Sequence, residues 1–314
     1  MRVGGDFNSI FDVVAVFFVR KIKNRRRNGR YLRRSDDFVG NGRYDNFFVV
    51  WNDFMTIKVK MRGTCGEIAQ GFFRGEPILI TCPIEKYSIA VVSDKFSGVE
   101  GLGSKSKRIL DDVLRIFGVK KLPYGLKLTS QLPRGKGMAS SSADMAAVAQ
   151  AAAFSLGKML SPDVLGKLCA KIEPTDGIFY AGIVAMNPLT GQILKKIRAQ
   201  EKFQVAVFDY GGEIDTIKLN RRGTFIFPEI GDEISFKLMK SSALANQIVI
   251  YKPELENLMN FAENLGAAGV NVAHSGTVAG IFFHADDFGV NEKIFAVRKK
   301  FSFLKFVTLT NLAI

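Results

Sequence analysis

The sequence predicts an α+β protein built from two consecutive units. Three observations carry this. Short stretches that alternate apolar and polar residues recur along the chain, as strands do. Between them lie longer stretches whose apolar residues fall three and four apart, and a second group of strands and helices follows the first. The chain has 314 residues, 47% of them apolar, which suffices for about two domains with sizeable cores.

The elements follow in order. "TIKVKMRG" (56–63) alternates and then breaks at Gly63, like a first strand. "PILITCPI" (77–84) and "YSIAVVS" (87–93) read as two further strands. Residues 105–117 have helical spacing of Ile109, Val113 and Ile116 or Phe117. "YGLKLTSQLP" (124–133) alternates again and leads into an alanine-rich helix. A second helix spans 162–172, with Ser161 suited to its N-cap and Pro162 to its first turn. In the second unit "FQVAVFDY" (203–210) is a strand, and 229–242 and 253–265 are helices. "GVNVAHSGTVAGIFFH" (269–284) is two strands around a glycine-containing turn, 286–300 is a helix, and "FLKFVTLT" (303–310) closes as a strand. There are no internal repeats.

Residues 1–54 differ from the rest. They hold the basic run "RKIKNRRRNGRYLRR" (20–34) and sustain neither period. One reading is a basic arm for nucleic acid or membrane. The favoured one is a disordered extension, or translated upstream sequence before a start at Met55 or Met61, because clean patterning begins just after Met55. A formal net charge of +14 permits nucleic acid, acidic membranes or anionic metabolites as partners and selects none of them. Cys65, Cys82 and Cys169 form no CxxC pair, which predicts reduced thiols in a cytoplasmic protein rather than disulfides or zinc. The two histidines, His274 and His284, are too few for most metal-ligand sets. The most apolar N-terminal stretch, 10–19, is too short to span a bilayer and contains Asp12. Basic residues and no small-residue cleavage site follow it, so no signal peptide is expected.

The informative stretch is "LPRGKGMASSSADMAAVAQAAA" (132–153). Gly135 and Gly137 allow positive φ and close approach of a ligand to the backbone. Ser140, Ser141 and Ser142 stand where the helix starts, beside amide N–H groups without intrahelical partners and the positive end of the dipole. Such an end binds phosphate, and the hydroxyls add donors or a magnesium ligand. Lys136 adds a cation. The competing reading is plain capping by the pair Ser141 and Asp144. Three serines exceed what capping needs. The order of a P-loop is absent.

"PRGKGMASSSA" (133–143) resembles the phosphate-loop motif of the GHMP kinase superfamily, Pro-x-x-x-Gly-Leu-x-Ser-Ser-Ala, with Met138 for Leu and Ser142 for Ala. "GTCGEIAQG" (63–71) resembles that family's N-terminal substrate motif, and "VAHSGTVAGIFF" (272–283) its C-terminal glycine-rich motif, thinned to Gly276 and Gly280. "CGEIAQG", "CPIEKYS", "KGMASSSAD" and "EPTD" are most similar to the L-threonine kinase branch that serves cobalamin synthesis.

The resemblance implies a fold: a ribosomal-protein-S5-domain-2-like N-domain over 55–198 and a ferredoxin-like C-domain over 199–314. It also implies ATP, Mg2+ and a small alcohol as partners, with neither membrane nor nucleic acid expected. By position, Pro133, Gly135, Lys136, Gly137, Met138, Ala139, Ser140, Ser141 and Ser142 would bind the phosphates, with Ser141 a magnesium ligand. In "EPTDG" (173–177), Glu173 would help hold magnesium and Asp176 would orient or deprotonate the acceptor hydroxyl. The competing reading of both is a solvated turn. Glu67 would contact the substrate, at its amino group, or else be a surface carboxylate. Ser275, Gly276 and Thr277 would border the substrate. His274 reads as a satisfied core histidine. The expected reaction is transfer of the γ-phosphate of ATP to the hydroxyl of L-threonine. The alternatives are a sibling kinase acting on homoserine or another small alcohol, and a nucleic-acid-binding protein working through residues 20–34.

Overall fold

The computed structural model describes residues 56–212 and 225–314. The basic extension expected over 1–54 lies outside the described residues.

Strand β1 (Thr56–Phe73) and strand β2 (Glu76–Ser93) form one long antiparallel hairpin. Arg74 and Gly75 turn it with φ of +51° and +83°, the type I′ geometry that matches strand twist. The sequence predicted a strand ending at Gly63 and two strands where β2 runs unbroken. The register explains both differences. β1 shifts register after Arg62, Thr64 and Glu67, and Glu85 and Lys86 of β2 are taken up opposite the first shift. At these bulges amides leave the sheet: Thr64 donates to the Met138 carbonyl at 3.1 Å, and Gly66 to that of Gly137 at 3.0 Å. A Cβ on Gly63 would stand 2.8 Å from the Met138 carbonyl oxygen, so only glycine admits this approach. What reads in the sequence as a strand end is the place where a loop docks on the strand.

Strand β3 (Val99–Glu100) and helix α1 (Ser104–Ile116) precede strand β4 (Gly125–Ser130). The docked loop follows, and then helix α2 (Ser140–Ser155). Every residue of α2 from Ser142 to Ser155 is buried. A helix apolar on all sides belongs in a core, and its alanines let neighbours come close. Helix α3 (Pro162–Ile172) starts where predicted, with the Ser161 hydroxyl accepting from the Val164 amide.

Strands β5 (Ile183–Asn187) and β6 (Gln192–Ile197) form a hairpin that the sequence reading missed. Its turn chemistry is visible: the Asn187 side chain accepts from the Leu189 amide at 2.9 Å, and Gly191 has φ of +72°. Strand β7 (Phe203–Asp209) opens the second half. Helix α4 (Phe236–Ala245) starts later than the predicted 229. The preceding residues instead pair with the end of β6, through Arg198 N–H to Asp232 O (2.7 Å) and Ile234 N–H to Arg198 O (3.0 Å). Helix α5 (Leu255–Asn264), strand β8 (Gly269–Val272) and strand β9 (Val278–His284) follow. Helix α6 (Val290–Lys300) starts after a turn in which the Asp287 side chain accepts from Gly289, later than the predicted 286. Strand β10 (Lys305–Asn311) closes the chain's described part.

The ten strands of the described residues make one sheet, ordered β10-β7-β9-β8-β1-β2-β4-β3, with β5 paired to β2 and β6 beyond it. The two halves meet where Glu67 of β1 pairs with Val272 of β8, and isolated bridges join Phe72 to Ile226 and Ile84 to Leu312. One core lies among β1, β2, β4 and α1 to α3, and a second lies under α5 and α6 against β7 to β9. All three cysteines are free and buried, as expected of packing residues. Among the described residues no helix is long and apolar enough to cross a membrane.

Candidate active site

The loop between β4 and α2 is coiled by positive φ at Gly135 (+70°), Gly137 (+80°) and Ala139 (+54°). Its carbonyls are held from both halves of the molecule. Those of Gly137 and Met138 bond to β1, while the carbonyl of Lys136 accepts from Thr277 at 3.0 Å and Val278 at 3.2 Å. Gly276 packs on the loop so closely that a Cβ there would stand 2.3 Å from the Gly137 amide nitrogen and the Lys136 carbonyl oxygen. Both neighbours are backbone and cannot swing aside. Gly276→Ala is expected to cost about 1–3 kcal/mol by overpacking, read as a lower thermal midpoint.

The capping pair does not form. Ala139 is the N-cap of α2, in left-handed conformation and with no side chain to cap. Ser141 donates instead to Oε1 of Glu173. Asp144 accepts from Ser88 at 2.5 Å. The first helical bond is Ala143 N–H to Ala139 O at 2.9 Å. The amides of Ser140, Ser141 and Ser142 therefore have no partner within the helix.

These residues open on a cleft of about 350 Å³. Gly135, Gly137, Met138, Ala139, Ser140, Ser141 and Ser142 line it, with Glu67, Glu173, Asp176 and Ser275. The Glu173 carboxylate is shared: Ser141 binds one oxygen and the Lys105 ammonium the other. Lys105, on the first turn of α1, also lines the cleft. On the other side of Ser141, the Ser142 hydroxyl accepts from Thr175 Oγ1 at 3.1 Å and from the Asp176 amide at 3.5 Å. Ser142 therefore fixes the "EPTD" turn against the start of α2, so that Glu173 and Asp176 both face the cleft.

Four of the expected binding residues do not line the cleft. Pro133 enters the loop. The Lys136 ammonium turns away to Asp209, at 2.8 Å, and to the Gly212 carbonyl. Thr277 donates to the same Asp209 at 2.6 Å, and Gly276 is the close-packing spacer. Burial alone would raise the Asp209 carboxyl; Lys136, Thr277 and the Gly211 amide outweigh it and hold it below the ordinary carboxylate range. These residues latch the loop to the second half.

Glu67 is buried at 4% exposure, so the surface-carboxylate reading does not hold. Its Oε2 accepts from the backbone amide of His274 at 2.8 Å and faces His274 Nδ1 at 3.2 Å. Among the described residues, Oε1 takes no hydrogen bond, and Glu67 lines the cleft. His274 is satisfied on both ring nitrogens, with Nε2 at 2.8 Å from Ser242 Oγ. Ser242, His274 and Glu67 lie in the order of a nucleophile triad. Ser242 has no exposure and is engaged by the backbone of Gln70, so no substrate can reach it.

Sequence reasoning missed Lys105, Arg134 and Asp209, and offered for Asp144 only a capping role. Arg134 lines the cleft with its side chain 71% exposed, 3.9 Å from Asp144. Burial raises the Asp144 carboxyl, against the Ser88 bond and the Arg134 charge. A basic residue within "PRGKG" was a visible signal for Arg134; nothing local marks Lys105.

Residues 104–185 match the family model for the GHMP kinases N terminal domain, and residues 229–302 that for the GHMP kinases C terminal domain. The chain is 28% identical over 240 residues to an L-threonine kinase of Citrobacter freundii, covering 69% of this chain and 83% of that protein. It is 27% identical over 243 residues to an L-threonine kinase of Salmonella typhimurium, covering 69% and 80%. Among solved structures, a homoserine kinase from Cytophaga hutchinsonii superposes with TM-score 0.57 at 16% identity, over 85% of this chain and 98% of that one. A mevalonate kinase from Methanococcus jannaschii superposes with TM-score 0.56 at 15% identity, over 82% and 98%. At such identities these structures show the fold alone, which is the α+β fold that the motifs implied. The chain belongs to the GHMP kinases, carries both their N- and C-terminal domains, and is a phosphotransferase acting on an alcohol.

Proposed function

We propose that the chain phosphorylates the side-chain hydroxyl of L-threonine, with ATP as donor, giving O-phospho-L-threonine and ADP. The observation that carries this reading is the meeting of Ser141, Glu173 and Asp176 in one cleft at the start of α2. The γ-phosphorus–oxygen bond to ADP breaks as the threonine oxygen bonds to phosphorus. The hydroxyl proton passes to the Asp176 carboxylate. The free amides of Ser140 to Ser142, the helix dipole, Lys105 and Arg134 offset the charge of the phosphates. Glu67 Oε1 is the partner for the acceptor's ammonium group.

Magnesium fits this site. Among the described residues no cluster of three or more His, Cys, Asp or Glu side chains could hold a metal. Magnesium needs no such cage: it takes one or two protein oxygens and completes its shell with phosphates and water. The hydroxyl of Ser141 and the carboxylate of Glu173, already in contact, are hard oxygen donors of that kind. Bound there, the ion would neutralise phosphate charge.

The Lα-amino-acid acceptor is supported by the two L-threonine kinases to which the chain is similar. By the same resemblance, the product would supply the aminopropanol linker of cobalamin, in the cytoplasm. The test is ATP consumption with threonine, serine, homoserine and mevalonate. Threonine is expected to give the highest kcat/KM. A preference for homoserine would reassign the acceptor and keep the reaction; no turnover with any of the four would overturn the reading.

A further inference from the structure

Lys252 lies between α4 and α5 and is 1% exposed. A buried ammonium demands an explanation, because burying a charge costs several kcal/mol unless it is paired. Its surroundings are built. Gln247 pins its backbone from both sides, donating to the Lys252 carbonyl at 2.9 Å and accepting from its amide at 2.7 Å. The ammonium donates to the Ala273 carbonyl at 2.9 Å. Ala273 opens the turn that places His274 on Glu67 and Ser275 in the cleft, and the same turn delivers Gly276 and Thr277 to the phosphate loop. The Glu67 carboxylate acts on this ammonium electrostatically.

We propose that Lys252 is a positioning residue for phosphoryl transfer: its ammonium, bonded to the Ala273 carbonyl, holds the turn at 273–277 against the phosphate loop and against Glu67. The proposal rests on Glu67 receiving the acceptor. The His274 amide and ring on that turn hold one oxygen of Glu67, so the position of the turn sets where the other oxygen meets the acceptor. Lys252 thus serves the acceptor side of the cleft without touching either substrate.

The charge has a measurable cost in stability. Burial lowers the Lys252 pKa from its ordinary 10.5 to about 8, with Glu67 pulling the other way. Glu67 of β1 is the ionisable group whose charge acts on it, and the residues after α4 present the neutral Gln247. Below pH 8 folded and unfolded chains both hold the proton, and the folded chain carries the full burial cost. Between about pH 8 and 10.5 the unfolded chain holds more proton, so this group's contribution to stability rises with pH.

The experiment is Lys252→Met in the full chain, beside Glu67→Gln and the double variant, with whichever alcohol the wild type phosphorylates. Lys252→Met is expected to raise the acceptor KM at least ~tenfold, the scale of losing one hydrogen bond from a charged donor, with the ATP KM within about twofold. Its thermal midpoint at pH 7 is expected not to fall, since methionine fills the space without the charge. The wild type is expected to gain on this variant from pH 8 to pH 10. The double variant is expected to be no worse than Glu67→Gln alone. An unchanged acceptor KM in Lys252→Met, with Glu67→Gln impaired, overturns the role of Lys252 and leaves the reading of Glu67 standing. An unimpaired Glu67→Gln overturns both. A lower midpoint with both KM values raised together assigns Lys252 to the fold and overturns the proposal.

Discussion

Asp176→Asn is expected to lower kcat by roughly a hundredfold or more, the scale of a lost general base, with nucleotide affinity nearly intact. A neutral hydroxyl is a poor nucleophile, and its proton must leave as the bond to phosphorus forms. Asparagine keeps the size of aspartate and one acceptor oxygen but takes no proton. The turn that carries residue 176 is held by backbone and by Thr175 through Ser142, so it stays in place when the carboxylate is removed. ATP binding is expected to survive, because the proposed phosphate site is the loop from Gly135 to Ser142 and not residue 176. If the transition state is loose, the proton leaves late and the loss shrinks toward about tenfold. The measurement is single-turnover phosphorylation of threonine beside a nucleotide titration. A wild-type rate would remove Asp176 from the chemistry and leave "EPTD" as a helix-ending turn.

Ser141→Ala is expected to lower kcat/KM at least about tenfold, the loss of one magnesium ligand. Excess magnesium is expected to restore part of it. The helix is expected to survive, because Ala139 caps α2 without a side chain and Ser141 takes no part in capping. The lost bond to Glu173 is worth about 1 kcal/mol in stability. Glu173→Gln separates two roles of that carboxylate. If it holds magnesium, its loss is expected to be rescued by the ion as in Ser141→Ala. If it only anchors Lys105, magnesium leaves the defect unchanged. Kinetics unaltered in Ser141→Ala would reduce the serine to a structural partner of Glu173.

Much of the site was legible because it is local. Gly135, Gly137 and the serines at the start of α2 announce an anion-binding helix end through backbone freedom and free amides alone. Glu173 read from sequence alone as either a magnesium ligand or part of a solvated turn. Its direct bond to Ser141 brings it to the cleft all the same, because α3 ends beside the start of α2. Lys136 shows the opposite. Its place in a phosphate loop suggested a phosphate, and its ammonium points to Asp209, a residue of β7 that no nearby pattern connects to it.

The sequence by itself determined the α+β class, most of the order of strands and helices, and the residues of α3. These follow from periodicity, from Ser161 and Pro162 as start signals, and from glycine's access to positive φ, all set by neighbours a few positions away. The tertiary structure decided the rest. It ran β1 past Gly63, because the bulged amides of Thr64 and Gly66 found carbonyls of the loop. It buried Glu67 at a pairing that joins the two halves of the sheet. It gave Glu173 its partners Ser141 and Lys105, 32 and 68 positions away. Such choices depend on which distant polar groups must satisfy one another once water is excluded, and no local pattern carries that information.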